Sequence, residues 1–135
     1  MAKVKIAYFN FDATDVSANR TAAAHGTGCV LPAGSIILDG GYKVITTFTS
    51  TAGGADKAGL AIHAEGANDL VTATLIEAGT NSWDVGLQAI IPVGTKATWV
   101  ATTVAREVTV TVSVCALTGG ELVGWLEYIV PAAAV

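Results

Sequence analysis

The segment from Glu107 to Leu117 alternates strictly between apolar and polar side chains, and this constrains the fold more than any other feature. Its even positions from 108 to 116 carry four valines and an alanine, whereas the odd positions between them carry two threonines, a serine and a cysteine. A β-strand places two such sets on opposite faces, while a helix would scatter the valines around its circumference. Because β-branched residues dominate, the pattern predicts a half-buried antiparallel strand.

The rest of the chain repeats this pattern in short segments bounded by glycine, proline, asparagine or aspartate. Further strands are predicted at 3–11, 28–31, 35–38, 42–49, 58–65, 70–76, 87–93, 98–104 and 121–130. Pro92 demotes one segment to an edge or kinked strand, and 39–41 is predicted to be a bend or bulge. Segment 121–130 is apolar on both faces, which indicates a central or covered strand. The glycines in 118–120 predict a hairpin that joins this strand to the alternating one.

Eight to ten short strands, with turn residues every 8–12 residues or so, are typical of an all-β sandwich or barrel. The tract 17–24 has room for one helical turn, but no stretch has the periodicity of a packed helix. We therefore predict an all-β fold, an antiparallel β-sandwich, and specifically an eight-stranded jelly roll. It forms one domain over 1–135, with 1–11 as a contact arm or first strand and 131–135 as a short tail.

Charge is scarce, since only 13% of the 135 residues are charged against a usual ~25%. Seven basic and eleven acidic residues give a net charge of −4 without a basic cluster, which argues against nucleic-acid binding. No apolar run approaches the ~18–20 residues of a membrane span, and no secretory signal is visible. These features favour a protein made in the cytoplasm that has neither nucleic acid nor membrane as a partner.

The same scarcity of charge bears on how the surface is used. A monomer of this size exposes roughly 6,500 Å², and 52% of the residues are hydrophobic. We therefore expect other subunits to cover part of the surface. The alternative is a low-charge monomer that is merely rich in alanine.

The histidines and cysteines offer little for catalysis or metal binding. Cys29 and Cys115 lie in different predicted strands, and reduced thiols are expected because no export signal accompanies them. His25 and His63 come without a nucleophile signature such as GxSxG, which favours a turn-capping role and a surface role respectively. The sequence predicts no catalytic residue, no cofactor and no metal site.

Two further features have a functional and a structural interpretation. Asp12 and Asp15 could supply oxygens to calcium, but without an EF-hand pattern they are expected to bind backbone N–H groups in turns. Trp83 lies in a predicted loop and is the candidate for stacking on a sugar ring. The structural alternative is that Trp83, Trp99 and Trp125 fill the core or a subunit interface.

Several motifs carry a resemblance that extends over nearly the whole chain. They are Leu-Pro-Ala-Gly at 31–34, Tyr-x-Val-x-Thr-Thr-Phe-Thr-Ser at 42–50, Trp-Asp-x-Gly-Leu at 83–87, Arg-Glu-Val-Thr at 106–109 and Glu-Tyr-Ile-Val at 127–130. The sequence resembles the small virion structural proteins of tailed bacteriophages, which include head-decoration and head-fibre-like proteins. The resemblance implies a non-enzymatic β-protein on the capsid exterior, a decoration (cement) protein that binds the major capsid protein and forms a trimer.

On that interpretation the N-terminal segment is the candidate for contact with the capsid or between subunits. The predicted interface residues are Tyr8, Phe9, Phe11, Asp12, Asp15 and Arg20. Three other functions stay open at this point. One is a carbohydrate-binding head-fibre or tail-associated module that contacts host-surface glycans through Trp83. The others are a jelly-roll major capsid protein and a tail-tube or tail-fibre segment.

Overall fold

The computed structural model describes residues 3–51, 57–76 and 81–131, most of which lie in β-strands. The strands are β1 (Lys5–Asp12), β2 (Ala24–Leu31), β3 (Ile36–Ser50), β4 (Gly59–His63), β5 (Val71–Leu75), β6 (Gly86–Ala89), β7 (Val100–Ala101), β8 (Arg106–Ser113) and β9 (Leu117–Ile129). Short 3₁₀ turns occupy Ser17–Arg20 and Lys96–Thr98. Within the described ranges, no helix has the length and apolar character needed to cross a bilayer. The tail predicted at 131–135 lies almost entirely outside the described residues.

The strands form two antiparallel sheets that pack face to face. The five-stranded sheet has the order β1-β9-β3-β6, and the two-residue β7 pairs with β3 beyond this path. The four-stranded sheet has the order β2-β8-β4-β5. The chain therefore crosses repeatedly from one sheet to the other. The predicted all-β antiparallel sandwich is confirmed.

The core lies between the two sheets and follows the alternation of the sequence. Val108, Val110 and Val112 of β8 point inward and are buried. Leu122 and Leu126 of β9 meet them from the other sheet, also fully buried. The period-two pattern therefore located the inward face of β8 correctly as far as Val112. The predicted extension to Leu117 is wrong, since β8 ends at Ser113 and Val114, which was predicted to point inward, is 63% exposed.

The predicted hairpin at 118–120 is wrong. β8 pairs with β2 and β4, whereas β9 pairs with β1 and β3 in the opposite sheet. The chain passes between the sheets through 114–116, where Val114 has a φ of 72°. β9 continues through Gly120, which has a φ of 128° and lies where the pairing with β3 shifts register. A Cβ atom there would lie only 2.1 Å from the Phe48 ring. The glycine makes room for a core aromatic and does not form a turn.

The two predicted strands at 35–38 and 42–49 are one long strand, β3. Its pairing with β9 shifts register between Ile37 and Asp39, just before the bend or bulge that was predicted at 39–41, and residues 39–41 themselves pair with β9 in regular register. At Gly40 a Cβ atom would lie 2.3 Å from the Trp125 carbonyl oxygen, which explains the glycine. β9 lies between β1 and β3, as its two apolar faces predicted, and β6 is an edge strand, as Pro92 predicted.

Candidate contact surface

The N-terminal segment predicted as a contact arm is strand β1, at the edge of the five-stranded sheet. Phe9 and Phe11 point inward and are buried, and the Phe11 ring stacks on Phe48 with centroids 6.1 Å apart. Tyr8 points outward and is 73% exposed. The placement of Phe9 and Phe11 at an interface is therefore corrected, since both belong to the core. Tyr8 remains available for contact.

The predicted polar anchors mostly stabilise the turn that follows β1. Asp12 Oδ1 accepts the backbone N–H groups of Thr14, at 2.8 Å, and of Asp15, at 3.0 Å. Arg20 Nε donates to the Ala13 carbonyl oxygen at 2.6 Å, and its Nη2 donates to that of Thr14. Asp12 and Arg20 are therefore engaged within the chain, whereas the Asp15 side chain is exposed.

Trp83 lies in the core, where its exposure is 0%. Its indole Nε1 donates to the Thr74 carbonyl oxygen at 3.1 Å. The ring stacks on Tyr42 at a centroid distance of 5.4 Å and meets the edge of Phe48 at 6.2 Å. A fully buried indole offers no face to a sugar ring. Trp83 therefore packs in the core, as the structural alternative predicted.

Burial also affects the aromatic neighbour of Trp83. Desolvation raises the pKa of Tyr42 to about 12. The Tyr42 hydroxyl donates to the Ser82 carbonyl oxygen at 3.0 Å. This hydrogen bond ties the Trp83 loop to the middle of β3.

The cysteines and histidines occupy separate places in the fold. Cys29 and Cys115 are not joined to each other by a disulfide, and burial raises the pKa of Cys29. The His25 ring nitrogen lies 2.8 Å from the Thr21 carbonyl oxygen, and His63 Nε2 lies 3.0 Å from a threonine hydroxyl of β8. Across the described ranges, no group of three or more potential metal ligands comes together.

The outward side of the five-stranded sheet is a surface that sequence reasoning did not identify as a site. Its outward positions form two rows, which run Tyr8–Trp125–Gly41–Ala89 and Asn10–Val123–Lys43–Leu87. Leu87 is 70% exposed and Ile6 is 50% exposed. We call the side chains of Ile6, Tyr8, Leu87, Val123 and Trp125 the outer face. It places large apolar groups near one another in solvent, with Lys43 between Val123 and Leu87 and with Glu127 opposite Ile6.

The register of the strands shapes this face. A groove of about 380 Å³ lies between strands β1 and β9, with Tyr8 and Trp125 among its lining residues. The Trp125 ring covers Gly41, where a Cβ atom would lie 2.8 Å from the ring. Lys43 is the charged residue of the two rows. Contiguous exposed apolar surface of this kind is typical of interaction sites.

The sequence contained the signal for the outer face, but the signal was ambiguous. Segment 121–130 is apolar on both sides, which favours coverage of the second side. Val123 on that side is nonetheless exposed in the single chain. A covered second face therefore requires something other than the residues that the structure describes.

A charged network at the four-stranded sheet was also missed. Glu65 Oε1 accepts Arg106 Nε at 2.8 Å, and Glu65 Oε2 accepts Arg106 Nη2 at 3.2 Å. The same carboxylate accepts the backbone N–H and the hydroxyl of Thr103 at 3.0 and 2.8 Å. The Arg106 hydrogen bond is the largest of the effects that lower the pKa of Glu65 to about 2. The network fastens the loop after β4 to the start of β8.

Comparisons with known proteins give matches in structure alone. No family model and no curated protein matches the sequence. A chain of the cyanophage Pam1 capsid asymmetric unit superposes with a TM-score of 0.64 and 22% identity, covering 96% of this chain and 86% of the other. A chain of the capsid of Ralstonia phage GP4 gives a TM-score of 0.65 and 18% identity, with 97% and 86% covered.

A third match comes from the acid-stable capsid of Helicobacter pylori bacteriophage KHP30. Its TM-score is 0.61 and its identity 14%, with 98% of this chain and 95% of the other covered. At identities this low the matches establish a common fold. The chain shares its β-sandwich with chains from three phage capsid structures.

Proposed function

We propose that this chain is a non-enzymatic structural protein of a bacteriophage virion, and specifically a decoration protein bound to the outside of the capsid. The observation that carries the proposal is the fold shared with chains from three phage capsids over 96–98% of this chain. Such coverage includes both sheets and not just a common substructure. The sequence motifs resemble proteins of the same class.

The proposal includes a finer description of the fold. The strand orders β1-β9-β3-β6 and β2-β8-β4-β5 place the first two strands of the chain beside its last two. This wrapping corresponds to two Greek keys, the jelly roll used by viral capsid domains, with β7 as a short addition. We also include a single domain as predicted.

The physical basis of decoration is the binding of an assembled shell. A protein that binds assembled capsid but not free subunits stabilises the assembled state by its binding free energy. Many copies on one head sum weak contacts through multivalency. The outer face supplies the apolar area for contact with the major capsid protein. The proposal also includes a homo-oligomer, for which the resemblance implies three copies.

Co-sedimentation with heads of the encoding phage tests the proposal. We expect the chain to co-sediment in stoichiometric amounts and to raise the temperature at which the heads disrupt. Leu87→Lys places a charge on the outer face and should weaken attachment at least tenfold, because a buried unpaired charge is costly. Val30→Lys, at a 60% exposed position of the four-stranded sheet, is the matched control and should bind normally.

Three outcomes would overturn parts of this proposal. Absence of the chain from purified virions would remove the virion role altogether. Imaging of intact particles gives the position of the copies, and density on the tail would replace the decoration role by a tail role. Equal loss for Leu87→Lys and Val30→Lys would remove the outer face as the contact.

A further inference from the structure

The strands at the sheet edges differ in how well they are protected from pairing with another strand. An unpaired edge is a template for such pairing, and bulges or short length normally block it. β2 shifts register between Gly26 and Val30, and β5 pairs with β4 through a shift between Leu60 and Ile62. β6 and β7 have only four and two residues. In the described part of the chain, β1 is the edge with a long regular ladder, since all eight of its residues pair with β9 without a shift.

The hydrogen bonds around β1 identify the backbone groups that face away from β9. The Ala13 N–H donates to the Gly120 carbonyl oxygen at 2.8 Å, which continues the ladder with β9. Alternate residues of a strand direct their N–H and C=O groups to opposite sides, so the even-numbered residues of β1 face away from β9. At the end of the strand, the Asp12 carbonyl oxygen accepts Asn19 Nδ2 at 2.9 Å. The chain therefore covers its own edge at Asp12.

The open part of the edge is short and carries no charged side chain. It consists of the N–H and C=O groups of Ile6, Tyr8 and Asn10, to which the described residues donate and offer no hydrogen bond. Such groups at alternate residues are complementary to the backbone of one extended strand. A strand that lies opposite residues 6–10 can form about six hydrogen bonds with them. The chemistry of the edge therefore specifies an extended peptide segment.

Another copy of this chain does not fit this edge in the three-copy assembly of the proposed function. Pairing of β1 with β1 of another copy closes as a two-fold pair. A ring of three copies would instead pair β1 with a different edge of its neighbour, and those edges are shifted or short. In an assembly of three copies, the edge of β1 is therefore left for the shell.

We propose that an extended segment of the major capsid protein adds to β1 as a further strand of the five-stranded sheet, an inference that rests on the proposed function and specifies its contact. Ile6 and Tyr8 belong to the outer face as well as to the edge, so the added strand continues the proposed contact surface. The groove lined by Tyr8, Asn10, Val123 and Trp125 lies beside this edge. An apolar side chain of the segment, directed to the outer side next to Tyr8, can enter it. Backbone hydrogen bonds then supply affinity, and the groove supplies specificity.

A pair of variants at Asn10 isolates the backbone contribution to attachment. Proline lacks an N–H, and an edge strand tolerates it where that N–H faces away from the sheet. Asn10→Pro therefore keeps the ladder with β9, whereas Asn10→Ala keeps the N–H and loses the side chain alone. Asn10→Pro should attach to heads about tenfold more weakly than Asn10→Ala, because a carbonyl oxygen of the segment loses its donor. Thermal unfolding checks that both variants fold.

Hydrogen exchange of the unsubstituted chain gives a second measurement, which does not depend on the folding of a variant. In the isolated chain, the N–H groups of Ile6, Tyr8 and Asn10 should exchange rapidly, whereas those of Ala7 and Phe9 are protected by the ladder with β9. On heads, the first three groups should become protected as well. Mass spectrometry of fragments from β1 measures both states.

The outcomes distinguish a failure of strand addition from a failure of attachment. Equal attachment of folded Asn10→Pro and Asn10→Ala, or unchanged rapid exchange on heads, would overturn strand addition and leave the proposed function intact. Protection of the same groups in the isolated chain would assign the edge to a second copy or to another part of this chain, and would also overturn it. An unsubstituted chain that does not attach to heads would remove the proposed function and strand addition together.

Discussion

Trp83 shows how a residue assigned to a surface loop from local sequence can belong to the core. Its neighbours Asn81, Ser82 and Asp84 are turn formers, and local sequence therefore gave it the environment of a loop. The turn carries the indole onto Tyr42 and Phe48, which lie some forty residues earlier in the chain. Contacts between residues so far apart leave no periodic signal. From the sequence, the burial of Trp83 could therefore be stated only as an alternative to stacking on a sugar ring.

Removal of this side chain should be among the most costly single substitutions. Trp83→Ala leaves a large cavity and removes the hydrogen bond to Thr74, and we expect the free energy of unfolding to fall by about 3–5 kcal/mol. Trp99, at 38% exposure, is the matched control, and Trp99→Ala should cost much less. Urea denaturation measures both. Similar losses for the two variants would contradict the placement of Trp83.

Glu65 predicts a specific acid sensitivity. Its pKa is lowered from an ordinary 4.5 to about 2 by the Arg106 and Thr103 hydrogen bonds. A carboxyl with a lower pKa in the folded state contributes stability that is fully present above pH 4.5 or so, and this contribution is lost as pH falls toward 2. The melting temperature of the native chain should therefore fall across this window. Glu65→Gln should melt lower at neutral pH and show a shallower fall.

Arg106→Gln is the control for that pH profile. It removes the largest cause of the low pKa while keeping Glu65, so it should also flatten the fall below pH 4.5. The two substitutions affect one contact, and the double variant should therefore lose less than the sum of the single losses. Additive losses, or a profile unchanged in Glu65→Gln, would contradict the assignment.

At the scale of the element, β9 depends on glycines that accept aromatic rings from its neighbours. A Cβ atom at Gly124 would lie 2.2 Å from the buried Phe9 ring. The ring is only 4% exposed, and it would have to shift to admit an added methyl group. β9 can therefore lie between β1 and β3 because Gly120 and Gly124 leave space for Phe48 and Phe9.

Gly124→Ala should accordingly destabilise the fold by about 1–3 kcal/mol through overpacking. Gly66 is the matched control, because no atom lies within 4 Å of a Cβ atom built there. Gly66→Ala should change stability by no more than about 0.5 kcal/mol. Thermal or urea unfolding distinguishes them. A neutral Gly124→Ala would show that the Phe9 ring can shift aside.

The same glycines explain which elements were open to sequence prediction. β8 was predicted because apolar and polar residues alternate along it, and this alternation indicates burial of one face. The pattern is visible in the local sequence, without knowledge of contacts to distant residues. The hairpin at 118–120 was wrong because glycine is used both for turns and for close packing, and the sequence does not separate these uses. What separates them is Phe48, whose ring approaches Gly120 from β3 in the folded chain. Strand existence was thus predictable, whereas sheet membership was not.

At the scale of the whole molecule, the low charge predicted a shared surface without locating it. The location depends on register, since Tyr8, Trp125, Val123 and Leu87 come from three strands and adjoin only when β1, β9, β3 and β6 are aligned. The sequence analysis predicted Phe9, Phe11 and Tyr8 alike as contact residues. Alternation along β1 separates them by face. The sequence therefore predicted that a contact surface exists, and it identified one residue of that surface, Tyr8.

The sparse charge of the outer face leads to a prediction about salt. Interactions between exposed charges are screened at high ionic strength, whereas burial of apolar area is not weakened by added salt. If attachment to capsids depends on the outer face, the bound fraction should change little between about 0.05 and 0.5 M NaCl. Lys43→Ala should bind with the same salt profile as the native chain. Co-sedimentation across the series measures this, and a steep loss with salt that Lys43→Ala abolishes would show that Lys43, and not the apolar side chains around it, holds the protein on the shell.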